Sequence, residues 1–143
     1  MADSPQGLID TGAILALLDR KDRWHERCTD AFSRLRLPLA TTTAVLTEVF
    51  HLLSRSTEAP VVWGFVRSGA VKVVPIGEQD LPQLEILMAR YQDRPMDFAD
   101  ATLVHVARQA NLTTVFTVDH DDFETYRIEG RQKFRIVPSR WLR

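Results

Sequence analysis

The chain has 143 residues, of which 45% are hydrophobic and 26% charged, a composition typical of a globular protein. Its 18 lysines and arginines against 19 aspartates and glutamates give a net charge of −1, which argues against binding of nucleic acid by bulk attraction. Cys28 is the only cysteine, so an internal disulfide and a multi-cysteine zinc site are excluded, and no apolar run approaches the ~20 residues of a membrane helix. Because the polar N-terminus shows no export signal, we expect one soluble domain over residues 1–143, working in the reducing cytoplasm.

Hydrophobic spacing divides the first half of the chain into short strands and helices. In order, we predict a buried strand ending at Leu8-Ile9-Asp10, a helix over 12–18 opened by Thr11, an amphipathic helix over 23–35, a strand over 37–41, and a helix over 44–53 with Thr43 as its N-cap. Pro60 is predicted to lie in the first turn of the next helix.

The second half continues the same alternation. We predict a strand over 71–76, helices over about 81–91 and 98–109, the second ended by Asn111, a buried strand over 113–118, an acidic turn over 119–122, and a last strand over 134–137. Strands that alternate with helices, without hairpin signals between them, predict a three-layer α/β/α fold with a mostly parallel central sheet.

Several acidic residues fall where a parallel sheet binds its ligands, which is the edge formed by the carboxyl ends of the strands. Asp10 ends the first predicted strand, and Asp119 follows the strand over 113–118, so both point to that edge. Glu48 lies in the early turns of a helix that follows the second strand and therefore begins at the same edge.

Two of the acids also lie on apolar helical faces. At helical spacing Glu48 is flanked by Ala44, Val45 and Leu52. Asp97 lies one turn before Asp100, which shares its face with Met96, Leu103, Val104 and Ala107. An isolated ionised carboxylate in such surroundings costs several kcal/mol, so we expect a bound cation beside these acids. Taken singly, each acid could instead be a helix cap or a solvated side chain.

Four segments taken together resemble the PIN-domain nucleases, most closely the VapC-type toxins of bacterial toxin–antitoxin pairs. The segments are Ile9-Asp10-Thr11, Thr43-Ala44-Val45-Leu46-Thr47-Glu48-Val49, Pro95-Met96-Asp97-Phe98-Ala99-Asp100-Ala101 and Phe116-Thr117-Val118-Asp119-His120-Asp121-Asp122-Phe123. The resemblance covers essentially the whole chain in the family's order. It implies a PIN-like fold, hydrolysis of single-stranded or looped RNA, a cognate antitoxin protein as partner, and a homodimer.

Carried over position by position, the resemblance makes Asp10, Glu48, Asp100 and Asp119 the core catalytic and metal-binding acids. Asp97 and Asp122 match positions where acids are frequent but less regular, and Thr117 matches a hydroxyl residue that supports the site. An all-oxygen set of ligands favours Mg²⁺ or Mn²⁺ over zinc. We therefore expect one or two such ions, which would activate water for attack on a phosphodiester.

Other classes of protein also carry acids at strand ends. A phosphate-accepting receiver domain would need adjacent acids after the first strand and a lysine after the last, and the chain has neither. A hydrolase that forms an aspartyl intermediate would usually carry a second aspartate where this chain has Gly12. A non-enzymatic α/β binding module, or a degenerate PIN domain acting through protein contacts, stays open as the alternative.

The remaining polar and aromatic residues are predicted to have structural or surface roles. His51, His105 and His120 lack the spacing of metal ligands and are predicted to be structural. Cys28, Trp24, Trp63 and Phe65 are predicted to belong to the core. Two basic groups could contact phosphates, although a solvated surface is the simpler interpretation: Arg20, Lys21 and Arg23, and Arg131, Lys133 and Arg135.

Overall fold

A computed structural model describes residues 4–53 and 57–141 and contains the predicted alternation of strands and helices. The strands are β1 (Gly7–Ile9), β2 (Leu39–Thr41), β3 (Val71–Val73), β4 (Thr114–Phe116) and β5 (Arg135–Val137). The helices are α1 (Thr11–Leu18), α2 (His25–Arg34), α3 (Thr43–Leu52), α4 (Ala59–Ser68), α5 (Leu81–Arg90), α6 (Phe98–Ala110) and α7 (His120–Thr125). A 3-10 turn, Glu78–Asp80, leads into α5.

The five strands form one sheet in the order β3-β2-β1-β4-β5, and every pair is parallel. With the helices on its two faces, this sheet confirms the predicted three-layer α/β/α fold. The chain winds outward from β1 to β3 and then returns to the other side of β1 with β4 and β5. Such a reversal leaves a crevice at the carboxyl ends of the two strands where it occurs, here β1 and β4.

Helix α6 is deeply buried in the core, beside the central strands. Every residue of β1 and β2 is buried, as expected for parallel strands covered on both faces. Helix α6 packs against β1, α3 and α5, and each of its residues from Ala99 to Ala107 is buried. The packing around α6 therefore also removes Asp100, in the first turn of this helix, from water.

Several local predictions are corrected by the structure. The N-cap of α3 is Thr42 and not Thr43: the Thr42 backbone is extended and its hydroxyl accepts a hydrogen bond from the Val45 amide. The predicted acidic turn over 119–122 is the start of a short helix, α7, because the chain continues into helical geometry to Thr125. Most strands are also shorter than predicted, by one to three residues at an end.

The aromatic residues are distributed differently from the prediction. Trp63 is 49% exposed and stacks on Phe50 with ring centroids 4.9 Å apart, so its assignment to the core is wrong. Trp24 and Phe65 are half-buried at the margin of the core, and Cys28 is fully buried as predicted.

A close approach of backbone to side chain marks the start of α1. A Cβ atom added at Gly12 would lie 2.7 Å from Cγ2 of Val118, closer than two carbon atoms can approach. Glycine at this position therefore lets the first turn of α1 sit directly against the chain leaving β4. Among the described residues, no helix is long and apolar enough to cross a membrane.

Candidate metal centre

Asp10 lies between the end of β1 and the start of α1, with only 5% of its surface exposed. Its Oδ1 accepts a hydrogen bond of 2.7 Å from the Thr11 amide, and its Oδ2 accepts one of 3.0 Å from the Thr117 hydroxyl. Burial raises the pKa of Asp10 to about 6; the two hydrogen bonds oppose this shift, and the charges of Glu48 and Asp97 add to it.

Thr117 joins the ends of β1 and β4. While its hydroxyl donates to Asp10, the same oxygen accepts a hydrogen bond of 2.9 Å from the Asp119 amide. This fully buried threonine therefore fixes the position of one acid through its side chain and of the other through its backbone.

Glu48 reaches the same place from α3. Its Oε1 accepts a hydrogen bond of 2.8 Å from the hydroxyl of Thr11, the residue that follows Asp10. The predicted apolar surroundings of Glu48 are only partly correct: Val45 is buried, but Leu52 is 62% exposed. The core face of α3 carries Val45 and Val49, and Glu48 is half-buried beside it.

Asp97 and Asp100 open α6. Asp97 is the N-cap, and its Oδ1 accepts a hydrogen bond of 2.8 Å from the Asp100 amide. Asp100 is 6% exposed, and its Oδ2 accepts a hydrogen bond of 2.8 Å from the hydroxyl of Tyr126. Burial raises the pKa of Asp100 to about 8, repulsion from Asp10 and Asp97 adds to the shift, and the bond from Tyr126 opposes it.

Asp119 and Asp122 come from the start of α7. One carboxylate oxygen from each of Asp100, Asp119 and Asp122 lies within 4.8 Å of the other two, close enough for the three to share a metal ion. Desolvation together with a hydrogen bond and repulsion from Asp122 raises the pKa of Asp119 to about 7. Asp122 is in addition paired with Arg94 at 3.2 Å.

The structure therefore brings the predicted acids together. An open cavity of about 400 Å³ lies at the crevice between the ends of β1 and β4, and it is lined by Asp10, Thr11, Gly12, Glu48, Asp97, Asp100, Val118 and Asp119. Asp122 adjoins this acidic cavity through its contacts with Asp100 and Asp119. A larger cavity, of about 820 Å³, lies between α2 and β5 and contains none of the predicted site residues.

The chemistry of the acidic cavity fits a divalent cation. Its donors are carboxylate and hydroxyl oxygens, which hard cations such as Mg²⁺ and Mn²⁺ prefer. Among the described residues that line it there is no lysine or arginine, and the raised pKa values of Asp10, Asp100 and Asp119 all reflect negative charge held out of water. A bound cation would offset the free energy of burying these charges. A cluster of solvated helix caps would have no such cost.

Sequence reasoning missed the role of two residues of this site. The sequence pattern predicts only that Thr11 starts a helix, although its hydroxyl holds Glu48. Tyr126 lies outside the four motifs and reaches Asp100 only through the fold of α7. A signal was present in hindsight: Asp119, Asp122 and Tyr126 follow helical spacing, so a helix there would align them on one face.

The histidines have partners outside the acidic cavity. Nε2 of His105 lies 3.0 Å from Oδ1 of Asp80, and Nε2 of His120 lies 2.8 Å from the Pro138 carbonyl. His51 is exposed on α3. The two basic groups for which a solvated surface is the simpler interpretation are exposed as well, and Arg135 opens β5, at the opposite end of the sheet from the acids.

The arrangement of this fold and site can be compared with known proteins. The model of the PIN domain family matches residues 7–129. The chain belongs to the PIN domain family. This PIN domain is similar to Ribonuclease VapC26 of Mycobacterium tuberculosis (strain ATCC 25618 / H37Rv), with 25% identity over 92% of this chain and 99% of the relative.

A solved structure shows the same likeness. The crystal structure of Mycobacterium tuberculosis VapC20, described as a Sarcin-Ricin loop cleaving toxin, matches with a TM-score of 0.70 and 25% identity, covering 80% of this chain and 90% of that one. The resemblance to VapC-type PIN domains that the sequence motifs indicate is therefore confirmed.

Proposed function

We propose that the protein is a metal-dependent ribonuclease and the toxin of a toxin–antitoxin pair, with residues 1–143 acting as a single nuclease domain. One observation carries the proposal: Asp10, Glu48, Asp100 and Asp119, which are far apart in sequence, line one cavity at the topological switch of the sheet. The relatives support its substrate, since one is named a ribonuclease and the other a toxin that cleaves the Sarcin-Ricin loop.

The proposed cofactor is Mg²⁺ or Mn²⁺. Asp100, Asp119 and Asp122 would hold one ion, because their oxygens already lie within 4.8 Å of one another. The same cavity is also lined by three further acids that would complete the negative surroundings of the ion: Asp10, Glu48 and Asp97. When bound, such an ion activates water and neutralises charge on the phosphate and the leaving oxygen.

The protein's own groups hold the carboxylates in place for this task. Thr117 fixes Asp10, and Thr11 fixes Glu48, through hydrogen bonds of 3.0 and 2.8 Å. Tyr126 fixes one oxygen of Asp100, which also lines the cavity. Such outer partners orient the ligands of a metal and adjust their basicity, so the site needs little rearrangement when it is loaded.

Cleavage of end-labelled RNA by the purified protein tests the proposal directly. We expect cleavage with Mn²⁺ or Mg²⁺, no cleavage in EDTA, and losses of several orders of magnitude in Asp100→Asn and Glu48→Gln. Asp30→Asn is a matched control, because Asp30 is an exposed acid on α2, paired with Arg34 at 3.4 Å. Cleavage that persists in EDTA, or that survives both site substitutions, contradicts the proposal.

The partners and the location belong to the same proposal. We infer a cognate antitoxin protein and a homodimer from the family resemblance, and a cytoplasmic location from the proposed RNA substrate and the single buried cysteine. Light scattering of the purified protein tests the dimer, since a mass near the 16.3 kDa of one chain contradicts it. Co-expression with a candidate antitoxin tests the partner, since a stable complex with suppressed RNA cleavage is expected and cleavage unaffected by every candidate contradicts it.

A further inference from the structure

A second cavity adjoins the acidic one. It has a volume of about 450 Å³, lies between the first turns of α3 and α6, and shares Glu48 and Asp97 with the acidic cavity. The rest of its lining is small or aromatic: Thr43, Ala44, Thr47, Phe98 and Ala99. A chain whose phosphate lies over the acidic cavity would therefore have its neighbouring group beside this second cavity.

Phe98 is the largest side chain of this second cavity. It is the first residue of α6, directly after the N-cap Asp97, and 44% of its surface is exposed. Over residues 4–53 and 57–141 no aromatic ring packs against it, whereas the exposed ring of Trp63 stacks on Phe50. The capping hydrogen bond from the Asp100 amide to Asp97 fixes the backbone of the first turn of α6, which includes Phe98. The ring is thus presented to solvent from a rigid helix start.

The charge around the second cavity selects what could bind there. Glu48 and Asp97 form its border with the acidic cavity, and no lysine or arginine occurs among the described residues that line it. A phosphate group would be repelled, but an uncharged planar ring would not. The Thr43 hydroxyl could donate a hydrogen bond to the edge of such a ring or accept one from it, and the Thr47 hydroxyl, which donates to the Thr43 carbonyl at 2.8 Å, could accept one. The properties required of the occupant are those of a nucleobase.

We infer that Phe98 is a stacking platform for one nucleobase of the RNA, that of a nucleotide next to the scissile phosphate. This inference rests on the proposed ribonuclease function and adds a subsite to it. Stacking needs an unpaired base, so the subsite favours single-stranded or looped RNA over a continuous duplex. It tolerates different bases, because every base has a π face.

The test combines variants of Phe98 with substrates that lack one base. Steady-state cleavage is measured on an RNA oligonucleotide with one defined cut, and on a series in which each nucleotide around the cut is replaced in turn by an abasic one. On the intact RNA we expect Phe98→Ala and Phe98→Leu to raise KM about 5- to 150-fold with a smaller change in kcat. Phe98→Tyr and Phe98→Trp should restore KM to within about threefold, since either ring can stack.

The abasic substrates identify the contact. At one position next to the cut, loss of the base should weaken wild-type cleavage by about the same factor as Phe98→Ala, and the two losses should not add. Trp63→Ala is the control, because Trp63 is a similarly exposed aromatic residue on α4 and does not line either cavity.

Each outcome has a distinct meaning. If wild-type protein cleaves no RNA with Mn²⁺ or Mg²⁺, the proposed function itself fails. Two results refute the stacking subsite when the wild-type protein does cleave RNA. Either Phe98→Ala cleaves as well as wild type, or Phe98→Ala reduces cleavage by the same factor on every abasic substrate. A loss of antitoxin binding or of dimerisation in Phe98→Ala, with unchanged KM, would assign the ring to a protein contact and also overturns the inference.

Discussion

The hydroxyl of Tyr126 donates a hydrogen bond of 2.8 Å to Oδ2 of Asp100, although the two residues belong to different helical segments. Both side chains are almost completely buried, with 1% and 6% of their surface exposed. The contact shifts the two groups in opposite directions: burial and the adjacent charge of Asp100 raise the pKa of Tyr126, whereas the hydrogen bond from Tyr126 lowers the pKa of Asp100. The contact therefore couples the packing of α7 to the charge of the acidic cavity.

Tyr126→Phe should remove this contact with little change in shape. A buried acceptor that loses its donor costs about 1–3 kcal/mol, so we expect that loss in the free energy of unfolding, together with a 10- to 100-fold loss of Mn²⁺ affinity. Chemical denaturation and isothermal titration measure the two quantities. Tyr91→Phe is the control, because the Tyr91 hydroxyl accepts a bond of 2.9 Å from the Arg127 amide outside the cavity. Equal Mn²⁺ affinities in the two variants would contradict the assignment.

The stability of the metal-free protein should fall as the pH rises from about 4 to about 8. Asp10, Asp119 and Asp100 have pKa values of about 6, 7 and 8, against an ordinary value of 3.8. The folded protein therefore binds protons more tightly than the unfolded chain across this window, and each step to higher pH favours unfolding. Melting temperatures in EDTA at several pH values measure the effect.

The same charges predict how a metal changes that profile. Mn²⁺ should raise the melting temperature more at pH 8 than at pH 5, because protons compete with the ion at the lower pH. Asp100→Asn should flatten the pH profile in EDTA and abolish most of the shift caused by Mn²⁺. A melting temperature in EDTA that rises between pH 5 and pH 8 would be incompatible with the buried acids described above.

Thr117→Val tests the hydroxyl that joins Asp10 to the Asp119 amide. Valine keeps the volume but removes both hydrogen bonds, so we expect Mn²⁺ affinity and cleavage to fall 10- to 100-fold. Thr125→Val is the matched substitution, since the Thr125 hydroxyl donates only to the Asp121 carbonyl on the surface of α7. If both variants keep wild-type metal binding, Thr117 has no role in orienting the site.

Substitutions of Asp97 can separate the effect of its helix-capping hydrogen bond from the effect of its negative charge. Asn caps a helix about as well as Asp, so Asp97→Asn should keep the stability of the protein, whereas Asp97→Ala should cost about 1 kcal/mol. Both substitutions remove one negative charge from the acidic cavity and should weaken Mn²⁺ binding to a similar extent. Unchanged Mn²⁺ affinity in Asp97→Asn would show that Asp97 serves only as a cap.

The fold and the main acids were accessible from the sequence because they depend on local rules. Alternating strands and helices determine a parallel sheet, and Asp10 and Asp119 follow from the rule that ligands bind at the carboxyl ends of its strands. The periodicity argument for Asp100 led to a correct expectation of burial, but every residue of α6 from Ala99 to Ala107 is buried, so the helical face was not what decided it.

What the sequence could not provide were contacts between segments without a shared pattern. The bond from Thr11 to Glu48 spans 37 residues, and the bond from Tyr126 to Asp100 depends on a helix that was predicted to be a turn. The exposure of Trp63 and Phe98 was equally inaccessible, because hydrophobicity alone does not tell which apolar side chains the final packing leaves outside.

The contact between Gly12 and Val118 limits how this site could change. A side chain at position 12 would overlap with a methyl group of Val118, so either that methyl group or the first turn of α1 would have to shift. The second acid that aspartyl-forming hydrolases carry two residues after the first therefore does not fit here while Val118 keeps its position. A covalent phosphoryl-enzyme chemistry at this strand end would therefore need a smaller residue at position 118 as well as an acid at position 12.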